Sequence, residues 1–152
     1  MKKKLKIIAI SSPGGHWIEL QKICKPLEED FNIVYVHPNN QFTKSDDDSS
    51  NNISIIDASA KTKLKLIILS FQLIKIILLN RPKYIISTGA APGAIAVLIA
   101  KWLPCKTIWI DSIANTKELS LSGKLVKNHA TIFLTQWENL VDKKIMFKGA
   151  LL

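Results

Sequence analysis

The stretch YIISTGAAPGAIAVLIAKWLPCKTIWI, Tyr84–Ile110, runs from a β-branched and aromatic segment (Tyr84–Ser87) through a glycine turn into an apolar segment of helical length (Pro92–Leu103), then into a second β-branched segment (Thr107–Ile110). Two strands joined through a helix by short turns must lie parallel, because a hairpin cannot connect them. The rhythm continues outward in both directions. Beyond Ile110 come a turn, a helix over Ser122–Asn128, a strand over Thr131–Leu134, a helical turn at Trp137–Val141 and an edge strand at Ile145–Phe147. Before Tyr84 come a strand at Leu5–Ile10, a glycine turn, and a helix on which Trp17, Ile18, Leu20, Ile23 and Leu27 recur. Strands at Asn32–Val36 and Ile53–Ile56 follow, then a long apolar helix over Lys61–Leu79. Alternating strands and helices predict an α/β fold: a doubly wound, Rossmann-like parallel sheet with helices on both faces. With no internal repeat and no long linker, residues 1–152 are expected to form a single domain.

The 152 residues, 47% hydrophobic, suffice for a core without metal or disulfide staples. Cys24 and Cys105 are far apart and show no ligand spacing, so both are expected as free thiols in a reducing cytosol. A formal net charge of +9 points to a polyanionic partner: nucleic acid, an anionic membrane face or a phosphorylated substrate. A plain solvated lysine surface is the alternative. Only Arg81 among 21 basic residues is an arginine, which disfavours sequence-specific reading of DNA. The lysine-rich start, Met1–Lys6, precedes an apolar run too short for a signal peptide and reads as the approach to a buried strand. The polar tract His37–Asn52 reads as a mobile loop. Its acidic cluster Ser45–Ser50 lacks the glycine and glutamate of a calcium loop, so no metal site is expected. On the Lys61–Leu79 helix, Lys61, Lys65, Gln72 and Lys75 fall within a stripe of roughly 80°, leaving a wide apolar arc. Leu64–Leu79 would span about 24 Å, short of the roughly 30 Å hydrocarbon core. Either the helix lies in a membrane interface with its lysines towards headgroups, or it is a crossover helix buried on the sheet and beneath a neighbour.

In an open α/β sheet, ligands bind beyond the carboxyl ends of the strands, where glycine turns and helix N-termini approach anionic groups. Three turns qualify: Ser11-Ser-Pro-Gly-Gly-His16, Ser87-Thr-Gly-Ala-Ala-Pro-Gly93 and Asp111-Ser-Ile-Ala-Asn115. Ser12, Gly14, Gly15, Thr88, Gly89, Gly93 and Ser112 are the candidates for holding a phosphate-bearing ligand. His16 is the candidate general base and Asp111 the group that orients or assists it. Taken singly, each also fits a capping or loop-fixing role. Gly14-Gly15 does not complete a dinucleotide fingerprint, no acidic residue ends the second strand, and no G-K-[ST] occurs, so nicotinamide and ATP sites are disfavoured and no cofactor is expected. A stand-alone nucleotide-binding enzyme and a basic nucleic-acid-binding module remain as alternatives.

Ile10-Ser-Ser-Pro-Gly-Gly-His-Trp17, Ile86-Ser-Thr-Gly-Ala-Ala-Pro-Gly93, Ile108-Trp-Ile-Asp-Ser-Ile-Ala-Asn115, Leu119-Ser-Leu-Ser-Gly-Lys-Leu125 and Thr135-Gln-Trp137 together resemble the Alg14 family, including its bacterial capsular and exopolysaccharide subunits. The resemblance runs in order over nearly the whole chain. It implies the amino-terminal half of a GT-B glycosyltransferase such as MurG, the half that receives a membrane-bound, lipid-linked saccharide acceptor. The nucleotide-sugar half is then a separate Alg13-like chain that this one recruits, and the complex is an inverting transferase. By the same resemblance, Gly14, Gly15 and His16 match the first loop, with the histidine a candidate base. Thr88, Gly89 and Gly93 match a loop near the acceptor diphosphate, and Asp111 stands where many relatives carry glutamate. No separate membrane helix precedes Leu5, so peripheral attachment at the cytoplasmic face of a bacterial inner membrane is expected through Leu64–Leu79, the basic start or the partner. Nucleic acid is not an expected partner.

Overall fold

The computed structural model describes residues 4–38, 51–59 and 61–151. Its strands are β1 (Lys6–Ile10), β2 (Asn32–Pro38), β3 (Asn52–Ile55), β4 (Tyr84–Ser87), β5 (Lys106–Ile110), β6 (Ile132–Thr135) and β7 (Ile145–Phe147). The α-helices are α1 (Gly15–Cys24), α2 (Lys63–Asn80), α3 (Ala90–Ala100) and α4 (Leu121–Val126), with short 3₁₀ turns at Lys25–Glu29 and Glu138–Leu140. The strands form one seven-stranded sheet in the order β3-β2-β1-β4-β5-β6-β7, parallel throughout. This is the doubly wound α/β architecture expected from the alternation.

The order explains which face each helix takes. From β1 to β2 the chain moves one way across the sheet, whereas from β3 onward each step moves the other way, and right-handed crossovers therefore put α1 on one face and α2, α3 and α4 on the opposite face. Strand alternation divides the core to match. Ile8, Ile10, Val34, Val36 and Ile85 pack on Leu69, Leu73 and Ile77 of α2 and on Ala96 and Ala100 of α3. Ile7, Ala9, Ile33, Tyr35, Ile86 and Ile110 meet Trp17, Leu20 and Cys24 of α1. Towards the far edge, Trp109, Phe133 and Ile145 pack with Val97 and Val126. Both cysteines are free, and burial pushes the Cys24 thiol up to about 12.

Several boundaries differ from expectation for local reasons. Helix α3 begins at Ala90 rather than Pro92, because proline is tolerated in a first turn and Gly89 supplies the entry angle. It ends at Ala100 rather than Leu103, where a turn leads into Pro104. Pro26 converts the tail of the first helix into a 3₁₀ turn. Helix α4 starts at Leu121 because the Ser120 hydroxyl accepts from Gly123 N at 2.8 Å.

Helix α2 buries only Leu69, Leu73 and Ile77. Its outer side, with Leu64, Ile67, Ile68, Phe71, Ile74, Leu78 and Leu79, is exposed, and no neighbour among the described residues covers it. Gln72 leaves the polar stripe: its Oε1 turns inward to accept Ile56 N at 2.9 Å, while Lys61, Lys65 and Lys75 stay exposed. No helix among the described residues is long and apolar enough to cross a membrane. The acidic cluster at 45–50, most of the expected loop and the first three residues of the lysine-rich start lie outside the described residues.

Candidate functional site

Strands β1 and β4 are hydrogen-bonded neighbours, yet the chain leaves them in opposite directions across the sheet. The crevice beyond their carboxyl ends is the topological switch point, the usual ligand position in open α/β sheets. His16 and Thr88 meet there. The Thr88 hydroxyl donates to the His16 carbonyl at 2.6 Å, and His16 Nδ1 lies 2.9 Å from the Thr88 carbonyl oxygen. A carbonyl only accepts, so Nδ1 carries the proton and the lone pair of the neutral ring sits on Nε2. This reciprocal clamp holds a half-buried imidazole whose Nε2 has no hydrogen bond among the described residues.

Glycine makes the clamp possible. Gly89 has φ +144°, and a Cβ there would lie 2.6 Å from His16 Cε1, so the ring packs directly on the Gly89 backbone. Ala90 follows with φ +61°, a left-handed conformation unusual for alanine that keeps strain of order 1–3 kcal/mol beside the imidazole. Gly93, within the first turns of α3, leaves room that a Cβ would take from the Ser87 hydroxyl, which in turn accepts Gly89 N at 3.2 Å. On the other side, Gly14 (φ +84°) opens α1, and Cβ atoms added at Gly14 or Gly15 would meet nothing within 4 Å. Ser12 is half-buried in this turn, where its carbonyl accepts the Ser11 hydroxyl. Neither α1 nor α3 has a side-chain cap or an acidic residue in its first turn. The N-termini of α1 and α3 thus flank the clamp with no acidic side chain in either first turn, an arrangement suited to an anion.

The third turn is built differently. Asp111, 1% exposed, has both carboxylate oxygens occupied: Oδ1 accepts Ser120 Oγ at 2.6 Å and Trp109 Nε1 at 3.1 Å, and Oδ2 accepts Ser120 N at 2.9 Å and Asn115 Nδ2 at 3.4 Å. Gly123 permits this closeness, since a Cβ there would sit 2.6 Å from Asp111 Oδ1. The contact that orients His16 therefore comes from Thr88, and Asp111 instead fixes the course of the chain from β5 to α4. Ser112 is buried, and its hydroxyl donates to Glu19 Oε1 at 3.0 Å.

Glu19 is a site residue that the sequence reading missed. It lies one helical turn after His16 and is 8% exposed, and its Oε1 also accepts Ile113 N at 3.2 Å. It ties α1 to the third turn, while its Oε2 is buried without a hydrogen-bond partner among the described residues. The available signal was its position between Trp17 and Leu20, both on the buried side of α1. Further out, Gln136 Nε2 donates to Asp111 O at 3.1 Å and Gln136 Oε1 accepts Leu151 N at 3.0 Å, so the C-terminal segment braces the same turn.

Comparison with known proteins matches residues 58–151 to the family described as oligosaccharide biosynthesis protein Alg14 like. The chain is 22% identical over 167 residues to the UDP-N-acetylglucosamine transferase subunit ALG14 of Yarrowia lipolytica, covering 91% of this chain and 76% of that one. It is 28% identical over 109 residues to the subunit of the same name from Kluyveromyces lactis, covering 66% of this chain and 45% of that one. Among solved structures it resembles MurG of Acinetobacter baumannii, with a TM-score of 0.80 and 10% identity over 96% of this chain. That match spans 46% of MurG, a likeness of fold to about half of the larger protein.

Proposed function

Because the chain belongs to the Alg14 family, we propose that it is the acceptor-binding, membrane-associated subunit of a two-chain glycosyltransferase that adds a sugar to a lipid-linked saccharide in bacterial polysaccharide biosynthesis, capsular or exopolysaccharide. The donor is a nucleotide-sugar, for which the relatives' names indicate UDP-N-acetylglucosamine. An Alg13-like partner binds it, and residues 1–152 contribute one GT-B half domain that turns over only with that partner. Residues towards the carboxyl edge, Gln136 to Leu152, are the proposed docking edge.

The observation that carries this reading is His16 Nε2, without a hydrogen bond among the described residues, between two helix N-termini that lack side-chain caps. The acceptor phosphate sits on the backbone of the turns containing Ser12, Gly14, Gly15, Thr88, Gly89 and Gly93, which places a sugar hydroxyl by the imidazole. Nε2 takes the hydroxyl proton as the oxygen attacks the anomeric carbon from the face opposite the nucleotide. The carbon–oxygen bond to the departing diphosphate breaks, and the configuration inverts. Asp111 and Ser112 assist by fixing the third wall of the crevice. Attachment is peripheral, at the cytoplasmic face of the inner membrane, through the exposed apolar side of α2 and its lysines. Trp102, Leu121 and Leu125 add exposed apolar surface on the same face of the sheet.

The test is sugar transfer from radiolabelled UDP-N-acetylglucosamine by membranes carrying this chain, its donor-binding partner, or both. Transfer should need both chains, and His16→Ala should lower turnover about 10²–10⁴-fold while the partner still co-purifies. Wild-type turnover from His16→Ala would remove the imidazole from the chemistry.

A further inference from the structure

At the opposite end of the sheet from the clamp, a groove of about 970 Å³ crosses the amino ends of β1, β2 and β4. Lys4, Lys6, Arg81 and Lys83 line it, with one carboxylate, Glu28, whose Oε1 already accepts the Tyr35 hydroxyl at 2.6 Å. Lys6 Nζ donates to Asn80 Oδ1 and Lys4 Nζ to the Glu28 carbonyl, so these ammonium groups are held in place without being neutralised. The salt bridges among the described residues lie elsewhere, at Lys124–Glu118 and Lys127–Asp142.

Arg81 is the strongest signal. It is the only arginine in the chain and caps α2 in the left-handed conformation (φ +46°, ψ 58°), a position glycine fills without steric penalty. Pro82 follows and further resists a helical conformation at Arg81. Arg81 strains the backbone where a glycine would relax it, and it is exposed in the groove's lining with a guanidinium whose planar fork suits phosphate oxygens. The groove also opens onto apolar surface. Leu79 lines it and is exposed beside Leu78 on α2, and Pro104 lines it two residues after Trp102, which is 82% exposed. A ligand that fits both surfaces carries an anionic head and a hydrocarbon tail.

We propose that this groove binds the phosphate headgroup of an anionic membrane lipid, with the acyl chains lying along the outer side of α2. The proposal rests on the membrane placement given above and adds a discrete headgroup site to it. The test is co-sedimentation of the full chain with vesicles of phosphatidylcholine containing phosphatidylglycerol. Arg81→Gln should weaken binding about fivefold, the equivalent of the ~1 kcal/mol a basic residue gains near an anionic surface. The charge-matched control Lys22→Gln, exposed on α1 on the opposite face of the sheet from α2, should change it much less. Arg81→Gly should also weaken binding while raising Tm by about 2–4 °C, as the backbone relaxes. Equal losses from Arg81→Gln and Lys22→Gln would reduce the groove to diffuse charge and overturn the proposal, as would unchanged vesicle binding by Arg81→Gly with a lowered Tm. Saturable binding of inorganic phosphate without vesicles, lost in Arg81→Gln, would assign the groove to a soluble phosphate instead of a lipid. Transfer to a detergent-solubilised acceptor by the Arg81→Gln complex should stay at the wild-type level, and its loss there too would overturn a purely lipid-binding role. Failure of transfer in the wild-type complex would instead count against the two-chain reading.

Discussion

Gly89 is where a single added carbon has the clearest effect. A methyl there must sit 2.6 Å from the His16 ring on a backbone with φ +144°, so steric overlap and strain act together. Gly89→Ala is expected to destabilise the fold by about 1–3 kcal/mol and, by displacing the imidazole, to lower kcat more than it raises the acceptor KM. Gly15→Ala adds a methyl to open space and should leave thermal unfolding nearly unchanged, so denaturation curves of the two variants check the argument. This scale also shows what the sequence made legible. His16, Thr88 and the glycines stood out because their types are unusual and useful at turns. The Thr88 carbonyl that orients the ring has no side-chain signature, and Glu19 reads as one more polar helix residue until the fold buries it. Asp111 was legible as a candidate, but its four-fold engagement depends on Ser120, nine residues on, which only the folded turn brings back.

Among the elements, α2 separates packing from surface most cleanly. Its inner row, Leu69, Leu73 and Ile77, repeats every four residues and holds the sheet, while Ile67, Phe71 and Leu78 face outward. The double variant Ile67→Lys/Phe71→Lys should therefore keep its Tm, because exposed substitutions cost about 0.5 kcal/mol or less. It should also lose most of its partition onto vesicles of bacterial lipid, measured by flotation. Leu73→Ala should do the reverse, costing about 2–5 kcal/mol of stability, with the apolar outer side intact. The sequence showed that the apolar arc was too wide for one contact. It could not show that the second side stays bare among the described residues, since that depends on where α3 and the strands run. The helix ends shifted by a few residues because caps such as Ser120 and entry glycines such as Gly89 are settled by hydrogen bonds rather than by hydrophobic period.

At the scale of the whole molecule, the parallel α/β order was legible because strand and helix periods alternate without interruption. The uneven placement of the described α-helices, one on one face and three on the other, was not, because it follows from the strand order and crossover handedness together. Global stability should carry the mark of the α1 face. Burial, and then the Glu28 charge, raise the Cys24 thiol from 9.0 to about 12, and burial with the Glu28 hydrogen bond also raises the Tyr35 phenol. The folded chain holds these protons more tightly than the unfolded chain. For Cys24 the stabilisation is complete below about pH 9 and is lost as pH rises towards 12. Thermal melts from pH 8 to 11 should show Tm falling more steeply for the wild type than for Cys24→Ala.

The clamp between His16 and Thr88 joins residues 72 positions apart. At synthesis rates of about 5–20 residues per second, the imidazole emerges roughly 4–14 s before the carbonyl that will direct it. A nascent chain that has folded only its first strands therefore carries the histidine without its orientation. The ribosome must reach Thr88 before the ring is turned towards the crevice, and a chain cut short before that point leaves the imidazole unaimed.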